Sequence, residues 1–225
     1  MIPPGANGEF VACMEDVLDV YQLPYDPKIP VVCMDEANKQ LVAEIRNPIP
    51  AAPGRVARVD SEYRRNGTVN VFMFVEPLAG RRRVLVTDRR TKVDWAFAVR
   101  ELLDVHYPDA DLVRLVLDNL NTHTLGSLYE AFGPEEARRL AKRLEFHYTP
   151  KHGSWLNIAE CELSVLSRQC LDRRIPTKEE VEREVHAWET DRNESTIGVD
   201  WQFTTEDARV KLHRLYPQFQ TKTQD

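Results

Sequence analysis

Asp35, Asp118 and Glu160 are the residues of this 225-residue chain whose type and placement point to chemistry. Asp118 closes the apolar run Leu115-Val-Leu117, and Asn119, Asn121 and His123 follow it among turn formers. A short run rich in branched side chains reads as a strand buried on both faces. In open sheets with parallel strands, ligands bind just beyond the carboxyl ends of those strands, where Asp118 would stand. A lone Asp in such a place more often caps the next helix. A second strand of the same design shifts the balance, for Val31 to Met34 runs into Asp35 and Glu36. A third acid, Glu160, follows Trp155-Leu-Asn-Ile-Ala near the start of a helix. Two strand ends and a helix can bring distant acids to one point. Hard oxygen ligands of this kind suit Mg²⁺ or Mn²⁺. Paired ions so held clamp the attacking and leaving oxygens of a phosphodiester during in-line displacement.

The elements that must position these acids are readable from periodicity. Residues 8–21 form an amphipathic helix with Phe10, Met14, Val17, Leu18 and Tyr21 on one stripe. Pro24, Pro27 and Pro30 break the chain before the strand Val31–Met34, and Leu41–Ile45 reads as a further short strand. Residues 46–58, with three prolines, read as a loop. Thr68–Val75 and Arg83–Thr87 flank the turn Glu76–Gly80 and make a hairpin. Thr91 and Asp94 resemble a capping box opening a helix that carries Trp95, Val99, Leu102 and Leu103 inward and ends near Tyr107-Pro108. The order strand, helix, Asp118 strand favours parallel pairing. Helices over 124–132 and 134–143, a strand Leu144–Tyr148 and an acidic helix over about 155–171 follow. Pro176-Thr-Lys-Glu-Glu180 reads as a capping box opening a helix to about Arg192, and Thr204–Leu215 as the last helix.

On the acidic helix the apolar stripe is Leu156, Ala159, Leu163, Leu166 and Cys170. Glu160 and Glu162 lie at similar angles on its opposite flanks, so periodicity does not choose between them.

Composition sets outer bounds. Hydrophobic residues make up 42% and charged residues 29%, as in an ordinary globular protein. No apolar run reaches membrane-spanning length, and the first residues do not read as a signal peptide. Cys13, Cys33, Cys161 and Cys170 lack C-x-x-C spacing and read as buried, reduced thiols of a cytosolic protein. The net charge of −6 runs against a stand-alone nucleic-acid binder. Cations are nonetheless bunched, at Arg64-Arg65, Arg81-Arg82-Arg83, Arg89-Arg90, Arg138-Arg139 and Arg173-Arg174, and such patches can track phosphates.

Strand-borne Asp35, Leu117-Asp-Asn-Leu-Asn-Thr-His123 and His147-Tyr-Thr-Pro-Lys-His-Gly-Ser-Trp-Leu-Asn-Ile-Ala-Glu160 together resemble the DDE catalytic domain of bacterial insertion-sequence transposases. The resemblance is to the insertion-sequence family numbered 630, relatives of the mariner transposases, and runs over nearly the whole chain. It implies an α/β, RNase H-like fold: a mixed five-stranded sheet, antiparallel meander plus parallel strands, flanked by helices. It also implies domain bounds of 1–30 for a leading helix and Pro-rich connection, 31–217 for the catalytic domain and 218–225 for a frayed tail.

The family's acid closes the Leu-Asn-x-x-Glu pattern, which falls on Glu160 and leaves Glu162 as a flanking or supporting residue. The same resemblance implies that Asp35, Asp118 and Glu160 are catalytic and hold two Mg²⁺ ions, with Mn²⁺ as substitute. The implied reaction cuts DNA at transposon ends and joins the freed 3′-hydroxyl to target DNA. Glu36, Asn119, Asn121, His123, Lys151, His152, Trp155 and Asn157 are then supporting or DNA-contacting residues, with Trp155 expected to pack rather than to stack on a base. The implied partner is DNA, with a homodimer when assembled on it and no membrane; the implied place is the bacterial cytoplasm, at the nucleoid when bound. Full-length relatives carry helix-turn-helix domains ahead of the catalytic domain, for which residues 1–34 leave no room. The alternative is therefore a truncated, non-enzymatic remnant that binds or represses a full-length transposase. Forty-one residues separate Asp118 from Glu160, more than mariner relatives use, and the surplus is expected within helical residues 124–143.

Overall fold

The computed structural model describes residues 5–58 and 60–218. Its strands are β1 (Val31–Glu44), β2 (Tyr63–Glu76), β3 (Arg81–Thr87), β4 (Val113–Asp118) and β5 (Leu144–Thr149). They form one mixed sheet in the order β3-β2-β1-β4-β5. β1 to β3 are an antiparallel meander, while β4 joins β1, and β5 joins β4, in parallel. This is the five-stranded arrangement expected from the sequence.

Side chains alternate across a strand, so the central strands feed two cores. Val71, Met73, Val75, Cys33 and Val116 face one side of the sheet. There they meet α1 (Gly8–Tyr21), α5 (Ile158–Leu166) and α6 (Lys178–Glu194). Phe72, Phe74, Val32, Met34, Leu115 and Leu117 face the other. That side is covered by α2 (Lys92–Glu101), α3 (Leu125–Ala131) and α4 (Pro134–Ala141). The last helix is α7 (Thr205–Lys211).

Several expected boundaries shift, each for a physical reason. The strands expected at Val31–Met34 and Leu41–Ile45 are one strand that ends at Glu44, because β2 pairs with β1 straight through the polar stretch Ala37–Gln40, with an irregularity between Gln40 and Val42. Backbone pairing does not require apolar side chains. The helix expected over 155–171 is broken: Ser154–Leu156 is a 3₁₀ turn, Asn157 is extended, α5 begins at Ile158, and a π turn over Ser167–Leu171 closes it. The capping box at Thr91 and Asp94 is present in both halves. At Thr177 only one half forms, the side chain accepting from Glu180 N at 3.2 Å. The last helix stops at Lys211 and a 3₁₀ turn, His213–Leu215, follows. The cysteines are all free, yet only Cys33 is buried and Cys161 is exposed, so their reading as buried thiols fails for the other three. Among the described residues no helix is long and apolar enough to cross a membrane. Apart from Gln218, the expected tail over 218–225 lies outside the described residues.

The β2–β3 turn closes by Gly80 N donating to Glu76 O at 3.0 Å, with Gly80 at φ 65°. A Cβ there would stand 2.8 Å from Thr196 O, so only glycine lets this turn and the segment after α6 approach so closely.

Candidate active site

Parallel pairing of β1 with β4 runs from Val31 opposite Arg114 to Cys33 opposite Val116. The same offset of 83 carries Asp35 to the level of Asp118, the last residue of β4. The carboxyl of Asp35 is pushed up to about 7, first by burial and then by the carboxylates of Asp118, Glu160 and Glu36; the Glu36 N–H, donating to Asp35 Oδ1 at 2.7 Å, works the other way. Asp118 and Glu160 therefore both bear on the Asp35 carboxyl at this end of the sheet.

Glu160 is exposed in the first turn of α5. Its helix is fixed to β1 at both ends. At the start, Asn157 accepts from Ala159 N at 3.1 Å and donates through Nδ2 to Met34 O at 2.9 Å. Tyr21 of α1 donates to Leu156 O at 2.7 Å. At the far end, Lys39 donates to the main-chain oxygens of Leu171 and Arg173. Asn157 is 1% exposed, and both polar atoms of its side chain are spent on holding the start of the helix. Glu162 points the opposite way, into a buried ion pair with Arg82. The two glutamates differ in setting: Glu160 is exposed and its charge bears on Asp35, whereas Glu162 is taken up by Arg82.

His123 is fully buried between acids of two strands. Its Nε2 lies 3.0 Å from Glu36 Oε2. Its Nδ1 lies 3.2 Å from the main-chain O of Asp118 and 2.6 Å from Oδ1, the latter a close ionic contact without hydrogen-bond geometry. Burial alone would lower the imidazole; the carboxylates of Asp118 and Glu36 outweigh it and push it up to about 9. Trp95 lies against the ring at 5.7 Å, and Tyr148 donates to His123 O at 2.8 Å. Arg90 adds a guanidinium 3.7 Å from Glu36 Oε1. His123 and Glu36 thus brace the site from within rather than face a ligand.

Asn119 and Asn121 are exposed beyond the end of β4. Lys151 and His152 are exposed on the turn between β5 and α5, with His152 at φ 68°. Gly153 N donates to Pro150 O at 2.7 Å, and a Cβ on Gly153 would stand 2.5 Å from the Pro150 ring, so this turn too requires glycine. Together with Phe10 and Cys13 of α1, residues Asn119, Lys151 and His152 line a cavity of about 540 Å³ beside Asp118. Trp155 is half-buried and packs edge-on against Phe203 at 5.9 Å, in keeping with a packing role.

In the sequence Tyr21 reads only as part of an apolar stripe, Arg90 as part of a cationic pair and Tyr148 as the end of a strand, none of them as a site residue. Tyr21 carried a usable signal: a hydroxyl on an otherwise apolar stripe needs a buried partner.

The donors are hard oxygens on adjacent elements, so they fit a hard divalent cation by chemistry, with Asp118 Oδ1 already 2.6 Å from His123 Nδ1. Among the described residues, no three His, Cys, Asp or Glu side chains stand together closely enough to hold a metal ion as they are.

A family described as DDE superfamily endonuclease matches residues 30–182, more than half of the chain and a span that includes Asp35, Asp118 and Glu160. The chain belongs to the DDE superfamily of endonucleases. No curated protein matches it in direct sequence comparison. Among solved structures, the Mos1 mariner paired-end complex with Mn is similar at a TM-score of 0.55 and 14% identity, covering 88% of this chain and 61% of that one. The Mos1 strand transfer complex is similar at 0.55 and 13%, covering 87% and 61%. The Mos1 paired-end complex with Mg is similar at 0.54 and 14%, covering 97% and 66%. At such identity the likeness shows the fold, which is RNase H-like. This DDE chain spans about three-fifths of the length of the first of these structures.

Proposed function

We propose that this DDE endonuclease chain is a transposase catalytic domain over residues 31–217, led by residues 1–30, in which Asp35, Asp118 and Glu160 are the catalytic acids. The observation that carries the reading is the level placement of Asp35 and Asp118 on adjacent parallel strands, with Glu160 raising the Asp35 carboxyl from a third element. Carboxylates held together against their own repulsion are what a cation site needs. The three acids would hold Mg²⁺, or Mn²⁺ in its place, with two ions per site. When bound, such ions activate an oxygen nucleophile and neutralise charge gathering at phosphorus.

The chain's own residues prepare the rest. His123, braced by Glu36, orients Asp118, and Asn157 sets the start of the Glu160 helix against β1. Lys151, on the rim of the cavity beside Asp118, is placed to offer an ammonium to a phosphate. The substrate is DNA: one in-line displacement frees a 3′-hydroxyl at a transposon end, and a second joins it to target DNA. Assembly on DNA is as a homodimer, in the bacterial cytoplasm and at the nucleoid.

The test is an Mn²⁺ soak of crystals with anomalous diffraction, beside a plasmid-nicking assay. A peak shared by Asp35 and Asp118, with Glu160 turned towards it, is expected. Metal-dependent nicking that persists unchanged in Asp118→Ala would overturn the reading. Absence of nicking with an intact metal site would favour the non-enzymatic, transposase-binding alternative.

A further inference from the structure

We infer that Arg82 and Arg192 are positioning residues for Glu160, acting through Glu162 to fix the roll of α5; this rests on Glu160 being the third catalytic acid. On an α-helix, residues two apart point about 200° from each other. Whatever holds the side chain of Glu162 therefore sets the direction in which Glu160 leaves the helix.

Glu162 is held unusually firmly for an acid on a helix. It is 5% exposed. Arg82 grips its carboxylate with two parallel bonds, Nε to Oε2 at 3.2 Å and Nη2 to Oε1 at 3.1 Å. Arg192 Nη2 adds contacts of 2.9 and 3.2 Å to the same two oxygens. A bidentate guanidinium fixes orientation as well as distance.

The grip is anchored outside α5. Arg82 belongs to β3 and is 4% exposed, and its Nη1 donates to Gly80 O at 2.7 Å. Its backbone is held on both sides by one side chain of α6: Arg82 N donates to Asn193 Oδ1 at 2.8 Å, and Asn193 Nδ2 donates to Arg82 O at 2.9 Å. Arg192, on the same helix, is the neighbour of Asn193. Glu162 is thus bound to two elements that contribute nothing else to the site.

The other ties on α5 do a different job. Asn157, Tyr21 and Lys39 all bind main-chain oxygens or the first turn at the helix ends, which sets its place along β1. A main-chain tie at an end resists sliding; a bidentate grip on a mid-helix side chain resists rotation. Arg82 and Arg192 touch neither the acids of the site nor the cavity beside Asp118, so their effect on catalysis passes through the helix.

The test uses the whole chain with Glu162→Gln and, because burying Arg82 without its anion can prevent folding, Arg192→Met as the second variant. Three quantities are read: Mn²⁺ binding by loss of the free-ion electron paramagnetic resonance signal, Mn²⁺-dependent plasmid nicking, and hydrogen exchange of α5 amides in metal-free protein. Folded variants are expected to need about tenfold more Mn²⁺ for half-saturation and for half-maximal nicking, with the rate at saturating Mn²⁺ changed far less. Exchange within α5 is expected to quicken while β1 and β4 stay protected. A variant that melts earlier yet superimposes on wild type in Mn²⁺ titration shows a merely structural pair and overturns the inference. Wild type that binds no Mn²⁺, with or without DNA, sinks the catalytic reading instead. In that case the exchange data still decide the clamp: unchanged α5 protection in both variants refutes it.

Discussion

Asn157 and Met34 share one hydrogen bond, Nδ2 to O at 2.9 Å, and through it the cap of the Glu160 helix is fastened to the residue before Asp35. Two acids 125 residues apart in sequence are thereby placed by a single amide.

That amide can be removed in parts. Asn157→Ala loses the cap on Ala159 N and leaves Met34 O buried without its donor. The expected cost is about 1–3 kcal/mol, read as a fall in the urea midpoint. Asn157→Asp keeps the cap and loses only the donor. If the bond to Met34 is what matters, Asp at this position will impair Mn²⁺-dependent nicking nearly as much as Ala.

Asp118→Ala is expected to abolish Mn²⁺ binding and nicking without lowering the melting temperature. The Asp35 carboxyl is raised first by burial and then by the charges of Asp118 and Glu160, so deleting Asp118 removes one charge that opposes ionised Asp35. A destabilised Asp118→Ala would mean that the contact with His123 outweighs that relief.

Glu160 and Glu162 predict opposite patterns. Glu160→Ala, at an exposed position, should change stability by no more than about 0.5 kcal/mol and remove activity. Glu162→Ala strands Arg82 in the interior and should cost about 3–5 kcal/mol, while the folded fraction keeps more activity than Glu160→Ala. Parallel melting and nicking assays separate the two; the reverse order of activities would reassign the third acid.

A last prediction concerns pH. Arg139 grips Asp104 through Nη1 and Nη2 at 2.9 and 2.7 Å, tying α4 to a second π turn, Leu102–His106, that follows α2, and holds the Asp104 carboxyl below its usual range. A folded pKa below the unfolded one means stability that is present at neutral pH and lost as pH falls through the acidic range. The pair is partly exposed, so its contribution is about 0.5 kcal/mol. Arg139→Met should lower the melting temperature slightly at pH 7 and not at all near pH 2; an equal effect at both would show that packing, not charge, holds the contact.

How much of this was legible beforehand follows from what each feature depends on. The two strand-Asp patterns, the meander and the parallel pair rest on local apolar runs, and the chain shows them directly. The unity of β1 rests on main-chain pairing to β2 through polar residues, which hydropathy does not register. Helical angles left Glu160 and Glu162 tied because the deciding partners, Arg82 and Arg192, lie 80 and 30 residues away. The Leu-Asn-x-x-Glu spacing was visible, but the reason for its Asn was not: the side chain breaks the expected helix at Asn157 and reaches across to Met34. His123 looked like a loop residue and lies fully buried, because the second acid of the first strand, Glu36, is turned inward to meet it.

β3 is an outer strand of the sheet, with Asn193 answering both main-chain groups of Arg82 and Glu189 Oε2 accepting from Val84 N at 2.9 Å. One amide there imitates a neighbouring strand and a carboxylate seals the next position. Bare rims of sheets are where foreign chains dock and fibres start. At these positions the rim is already taken, so a second copy of this protein cannot lengthen the sheet along this stretch of β3.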